Sequence, residues 1–223
     1  MHLSLYEKIW FATFLGTGIA LSIVWGDTIT GFLAFFSGIV CVLLAAKGSR
    51  WNYPVGIVNC VSYSYISFLS GLFGEVMLNM MFYLPLQFVG FFMWSRKTKP
   101  DGIVKMRAMN YKAACAVALL AVIAVIAYSF YLDSFERQVT PGIDSFTTVF
   151  SITAAILMLK RYREFWVIYI VVNIVSVLMW AIRFANGTPD SLTMVVMWGA
   201  YFINSVYGAY VWFRLTGQAE NEK

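Results

Sequence analysis

The sequence predicts an all-α membrane protein with eight transmembrane helices, and three observations carry that prediction. Of the 223 residues, 61% are hydrophobic and 12% charged, whereas soluble domains average about 45–50% apolar and about 25% charged. Apolar runs long enough to cross a bilayer, about 17–25 residues, recur from end to end and leave no room for a soluble domain. Lys and Arg also collect on alternate connections between these runs. Backbone groups cannot stay unpaired in lipid, so each run is expected to be helical.

In chain order the expected spans are 8–25, 29–46, 54–70, 75–94, 113–131, 144–160, 164–184 and 190–213. The breaks between them are polar or rich in glycine and proline: "WGD", "KGSRWNYP", "SGLFGE", "SRKTKPDGIVKMRAMNYK", "DSFERQVTPG", "KRYRE" and "NGTPD". Of the 16 Lys and Arg, all but Arg137 and Arg183 fall on one side of this arrangement. The positive-inside rule then places both termini and the loop 95–112 in the cytoplasm. The opening "MHLSLYEK" does not lead into a short apolar stretch with a small-residue cleavage site, so a removed signal peptide is not expected.

The chain also resembles itself. "SGIVCVLLAAKGSRWNYPVGIVNCVS" (37–62) lies over "SITAAILMLKRYREFWVIYIVVNIVS" (151–176) at a shift of 114. Ser37 then meets Ser151, Lys47 meets Arg161 and Asn59 meets Asn173. Beyond a four-residue insertion the shift becomes 118, pairing Tyr83 with Tyr201, Gly90 with Gly208, Trp94 with Trp212 and Arg96 with Arg214. The expected organisation is 1 + (3+1+3). Residues 1–28 add an N-terminal helix and 29–97 form a first three-helix bundle. Residues 98–142 supply a cytoplasmic loop and linker helix, 143–214 a second bundle and 215–223 a cytoplasmic tail. Copies four helices apart run in the same direction, which is the parallel repeat used by some transporters, whose substrate sites lie near the bilayer midplane at the repeat interface.

Helical projection shows what would line that interface. At 100° per residue, Trp166, Tyr169, Asn173, Ser176 and Trp180 fall within an arc of about 80°. The third span offers Asn52, Asn59, Ser62, Tyr63 and Ser70. The fourth carries Glu75, Asn79, Tyr83, Gln87, Gly90 and Trp94, and the eighth Trp198, Tyr201 and Ser205 with Asn204 and Tyr207 adjacent. Such polar residues often only bond one helix to the next. Four faces of amides and large aromatics turned to one axis favour a small-molecule cavity. Trp94 and Trp212, at the ends of their spans, read as interfacial belt residues.

Several classes of function are excluded. The single His is terminal, and Cys41, Cys60 and Cys115 lie inside apolar runs at spacings that match no metal motif. A metal site, a cofactor and enzyme activity are therefore not expected. The net charge of +5 reflects topology and gives no reason to expect nucleic acid. No G-x-x-x-x-G-K-[ST] loop is present. Every Asp, Glu, Lys and Arg sits at or near a helix end, with Glu75, Asp144, Glu164 and Arg183 closest to entering the membrane. Ion-coupled carriers usually keep an ionisable residue within it, so passive transport of an aromatic, hydrogen-bonding solute is expected. A fixed cation would still suit aromatic faces.

Three stretches resemble the PnuC family of bacterial vitamin transporters: "GEVMLNMMFYLPLQFVGFFMWSRK" (74–97), "DSFTTVFSITAAILMLKRYREFWVIYIVVNIVSV" (144–177) and "WGAYFINSVYGAYVWFR" (198–214). Asp144, Thr147, Thr148, Glu164, Trp166 and Asn173 fall on the family pattern, while Tyr169 stands where the family's W-x-x-W element has its second Trp. The resemblance covers about residues 30–214. It implies a SWEET-like fold, a homotrimer in the bacterial inner membrane, and facilitated diffusion of nicotinamide riboside. Relatives carry thiamine or riboflavin, and the fold type also admits a sugar carrier. A membrane enzyme or receptor is disfavoured by the lack of clustered catalytic groups and of any extramembrane domain.

On this reading Trp166, Trp180, Trp198 and Tyr83 are the candidates to stack on the ligand ring. Asn59, Asn79, Gln87, Asn173 and Asn204 would hydrogen-bond it, with Tyr63, Tyr169 and Tyr201 completing the site. Asp144, Thr147 and Thr148 would stand at a gate.

Overall fold

The structure is a computed structural model that describes residues 4–25, 28–70, 73–100, 102–134 and 141–221. His2, Arg137 and Lys223 lie outside the described residues. The described residues are helical, with no strand beyond two isolated bridges. The order is α1 (Leu5–Trp25), α2 (Ile29–Ala46), α3 (Asn52–Leu69), α4 (Phe73–Met77), a π-helical stretch (Leu78–Tyr83), α5 (Leu84–Ser95), α6 (Tyr111–Asp133), α7 (Pro141–Leu159), α8 (Phe165–Ala185) and α9 (Ser191–Asn221).

Among the described residues, six stretches are long and apolar enough to cross a membrane: Ile29–Ala46, Gly74–Ser95, Tyr111–Tyr131, Gly142–Leu159, Phe165–Ala185 and Ser191–Gly217. α1 and α3 are outside this set. In α3, two Asn and three Ser in 18 residues dilute the apolar character, because that helix turns a polar face inward. The final helix also runs further than expected, to Asn221 rather than 213.

The fourth span is not one continuous α-helix. Pro85 has no N–H to give and its ring crowds the carbonyl four residues earlier. The backbone accommodates this by widening, and the N–H of Leu84 bonds the carbonyl of Asn79, five residues back. π-Helical turns of this kind occur often at functional sites, and here the turn carries Asn79 and Tyr83.

The connections that follow α2 and α7 have the same construction. Gly48 (φ 67°) and Arg161 (φ 66°) both occupy the left-handed region just past the helix end. Gly48 donates to Ala45 at 2.9 Å and Ser49 to Leu44 at 2.9 Å; Arg161 donates to Met158 at 2.8 Å and Tyr162 to Leu157 at 3.0 Å. Both are Schellman closures, in which glycine adopts the left-handed conformation freely and Arg161 adopts it at a steric cost. The loop after α5 is sewn to both turns. Val104 donates to Gly48 at 3.0 Å and Arg107 to Arg161 at 2.8 Å, while Arg163 donates back to Arg107 at 2.9 Å. Glu164 accepts from the backbone of Met109 at 3.0 Å.

α2 packs on α3 and α9, α8 on α7 and α9, and α3 on α4 and α5, while α4 and α5 both reach α7. α6 leans on α7, and its outer face exposes Leu119, Leu120, Ile123, Ile126 and Phe130. α1 lies against α2 and α9. Its buried Glu7 pairs with Lys47 at 2.7 Å and accepts from the hydroxyl of Tyr207 at 3.2 Å. The expected belt role of Trp94 and Trp212 is corrected. Both are fully buried with ring centroids 6.0 Å apart, and Trp212 donates to the Ala46 carbonyl at 3.0 Å. They occupy the seam between α2, α5 and α9, where an interfacial residue would be exposed.

Candidate functional site

Helices α2 to α5 with the π turn, and α7 to α9, line a cavity of about 150 Å³ at the centre of the bundle. α2 supplies Cys41, Val42 and Ala45. α3 supplies Asn52, Tyr53, Gly56, Asn59, Cys60 and Tyr63. α4, the π turn and α5 supply Glu75, Leu78, Asn79, Tyr83, Leu86 and Gln87. α7 supplies Ser151, Ala155 and Met158; α8 Phe165, Trp166, Tyr169 and Asn173; α9 Met197, Trp198, Tyr201 and Ser205. α1 and α6 contribute nothing to the wall among the described residues.

Aromatic rings form much of the wall, and glycines let them lie flat against neighbouring helices. A Cβ on Gly208 would fall 2.6 Å from the Trp166 ring, and one on Gly90 would overlap the Tyr53 ring. The rings themselves interlock. Tyr63 meets Trp198 edge-on at 6.0 Å, Trp198 meets Tyr201 at 5.2 Å, and Phe165 meets Trp166 at 4.5 Å.

The amides are anchored in ways that projection alone cannot show. Asn59 donates to the Ala34 carbonyl at 2.8 Å, Asn79 to the Glu75 carbonyl at 2.8 Å, and Asn173 to the Ser205 hydroxyl at 2.7 Å. Each spends one amide hydrogen on its neighbour and keeps its carbonyl oxygen as an acceptor. Gln87 approaches the Cys60 sulfur at 3.5 Å. Three buried donors in the wall have no protein partner: the Tyr53 hydroxyl and the indole N–H groups of Trp166 and Trp198. A buried donor left unpaired costs about 1–3 kcal/mol, a cost that a ligand acceptor would relieve.

Ten of the twelve residues expected to bind ligand come together in this wall: Asn59, Tyr63, Asn79, Tyr83, Gln87, Trp166, Tyr169, Asn173, Trp198 and Tyr201. Trp180 and Asn204 do not line it. Trp180 is fully buried behind Tyr63 and donates to its hydroxyl at 3.1 Å. Asn204 donates to the Val42 carbonyl at 2.9 Å, tying α9 to α2. Asp144, Thr147 and Thr148 sit in the first turns of α7, outside the wall, with Thr147 bonding back to the carbonyls of Ile143 and Asp144 at 3.2 Å each.

Of the wall residues that were not among the expected binders, three bear most on the chemistry. Ser205 holds Asn173. Tyr53, in the first turn of α3, lies one position past Asn52 in the polar stripe. Glu75 shared the stripe of the fourth span, but was read as a helix-end charge. Its place in the wall corrects the expectation of a cavity with no acid.

The helical bundle with a central, aromatic and amide-lined cavity defines a multi-pass membrane protein built around a small-molecule site. The sequence model of the family described as "Nicotinamide mononucleotide transporter" matches residues 28–214, and the chain belongs to this transporter family. It is similar to the "Nicotinamide riboside transporter PnuC" of Neisseria mucosa, with 34% identity over 94% of this chain and 81% of that protein. The "Nicotinamide riboside transporter PnuC" of Haemophilus influenzae is 32% identical over 94% of this chain and 90% of its own length. The "Crystal structure of the Vitamin B3 transporter PnuC" superposes with a TM-score of 0.88 at 33% identity, covering 97% of this chain and 94% of that one.

Proposed function

We propose that the chain is a nicotinamide riboside uniporter of eight spans, arranged as 1 + (3+1+3) in a SWEET-like parallel repeat. On this reading it is a homotrimer of the bacterial inner membrane with both termini cytoplasmic. The observation that carries the substrate is the central cavity, whose aromatic rings and amides come from α3, the π turn, α5, α8 and α9. Relatives at 32–34% identity are named for nicotinamide riboside. The ligand is a flat heteroaromatic ring with a carboxamide on a ribose, which matches stacking walls and placed hydrogen-bonding groups.

The wall also favours the riboside over the mononucleotide of the family description. Among the described residues lining it there is no Lys, Arg or His, so a phosphate would enter without a counter-charge, at a large desolvation cost.

Support for the repeat comes from matched construction, at a register one residue off the sequence alignment. Gly48 and Arg161 close α2 and α7 at a spacing of 113 residues. The wall pairs Val42 with Ala155, Tyr53 with Trp166, Gly56 with Tyr169 and Cys60 with Asn173 at that same spacing. In this register the wall counterpart of Asn173 is Cys60, and Asn59 is displaced by one position. Gly90 and Gly208 receive the Tyr53 and Trp166 rings, as the shift of 118 requires.

Calorimetric titration of purified protein, followed by uptake into proteoliposomes without an ion gradient, tests the reading. Binding and equilibration of nicotinamide riboside are expected. Binding of thiamine, riboflavin or glucose instead would replace the substrate, and accumulation driven by a pH gradient would replace uniport with coupled transport. Tight binding without any transfer into the vesicles would favour a receptor. Light scattering with a mass consistent with one copy per micelle would remove the trimer.

A further inference from the structure

The cavity is electrically lopsided. At the end formed by the start of α3 and the start of α8 it offers the unpartnered donors of Tyr53 and Trp166. At the opposite end, where α4 begins, Glu75 enters the wall. Tyr63 and Tyr83, both wall residues, are close enough to Glu75 to feel its charge. The charged groups acting on Glu75 are Asp144 of α7 and Arg183 of α8. Among the described residues no ion pair within 4.0 Å joins Glu75 to Arg183, so its carboxyl is not locked to that guanidinium. An ionised carboxylate held away from water is costly unless a cation meets it.

We propose that Glu75 is the counter-ion for a permanently cationic ring, and that it makes the cavity select a charged ligand over its neutral isostere. The proposal rests on the nicotinamide riboside reading, whose pyridinium is such a cation, and it fixes an orientation. The ring sits toward Glu75, Tyr63 and Tyr83, and the ribose oxygens face the donors of Tyr53 and Trp166. Aromatic faces alone would attract a cation modestly; a carboxylate in the wall adds a full charge at short range, where screening by salt is weak.

The test compares nicotinamide riboside with its uncharged C-nucleoside analogue, in which a benzamide ring replaces the pyridinium. The readout is the ratio of the two affinities. Wild type is expected to favour the cation by about tenfold or more, and equal affinities overturn the proposal without any variant. Glu75→Gln is expected to lower that ratio about tenfold, with Glu75→Asp restoring most of it. A ratio unchanged by Glu75→Gln assigns Glu75 to packing or gating and overturns the proposal, whatever the absolute affinities do. Wild type that binds neither nucleoside defeats the substrate reading, and the same question then passes to thiamine, another permanent cation. Loss of thiamine binding in Glu75→Gln, with recovery in Glu75→Asp, sustains the counter-ion role; no loss ends it.

Discussion

The indole N–H of Trp180 donates to the hydroxyl of Tyr63 at 3.1 Å, joining α8 to α3 behind the cavity wall. The two rings meet edge-on with centroids 6.1 Å apart. Trp180 thus fixes the ring that faces the ligand and does not itself face it. Trp180→Phe keeps most of the packing and removes one inter-helix hydrogen bond, worth about 0.6–2 kcal/mol in membranes. Titration is expected to show a loss of affinity of about threefold to tenfold. Complete loss of binding in a folded variant would return Trp180 to the role of stacking partner.

Tyr53 predicts opposite effects on stability and on binding. Its hydroxyl is buried without a partner, so Tyr53→Phe removes a desolvation cost of about 1–3 kcal/mol from the empty protein. Thermal unfolding in detergent is expected to rise or hold steady. Affinity for ligand is expected to fall about tenfold as one hydrogen bond to the ribose is lost. A fall in both would mean that the hydroxyl serves the fold.

The glycines behind the rings are equally exposed to test. A methyl group on Gly208 would press on the Trp166 ring from 2.6 Å, and overpacking of this kind costs about 1–3 kcal/mol. Gly208→Ala is expected to push the ring into the cavity, lowering both the unfolding temperature and the affinity. Gly199→Ala, on the same helix with nothing within 4 Å of its added Cβ, is the control and is expected to behave as wild type.

Asn173 is at once cavity wall and inter-helix contact, because its amide hydrogen goes to Ser205 at 2.7 Å while the residue faces the cavity. Asn173→Ala is expected to cost about 1 kcal/mol of stability and more than about tenfold in affinity. Ser205→Ala removes only the anchor, so its stability loss should be similar and its affinity loss smaller. Equal affinity losses in the two variants would make the anchor the whole role of the amide.

The pair between Glu7 and Lys47 tests whether α1 belongs to the working unit. Glu7 is 2% exposed, and removing one partner of a buried pair costs about 3–5 kcal/mol. Lys47→Met is expected to destabilise the solubilised protein sharply, and the double variant Glu7→Gln/Lys47→Met to recover most of the loss. An undisturbed single variant would make α1 a loosely held addition.

Much of this site was readable from residue periodicity, since Asn59, Tyr83, Tyr169 and Asn173 recur at helical spacing on inward faces. Projection reports an angle but not a partner. It therefore grouped Trp180 and Asn204 with the wall, although one bonds Tyr63 and the other the Val42 carbonyl. The shared construction of the turns after α2 and α7 was equally hidden, because one uses Gly48 and the other Arg161 at the left-handed position. Glu75 was discounted because it stands near a helix end, and only the packing of α4 against α3 and α7 brings that end into the cavity. The π turn follows from Pro85, but its exact place depends on how Asn79 and Tyr83 are held by their neighbours.

The loop after α5 has a mechanical meaning. It is bonded to the turn after α2 through Val104 and to the turn after α7 through Arg107. Three residues of chain therefore tie the turn after α2 to the turn after α7, and fully extended they reach about 10–11 Å. The loop is an inextensible strap. At this face the two turns cannot part by more than its length while both anchors hold. A wide opening here requires one hydrogen bond to let go first, so the energy of that bond becomes part of the barrier to release on this side and to no other.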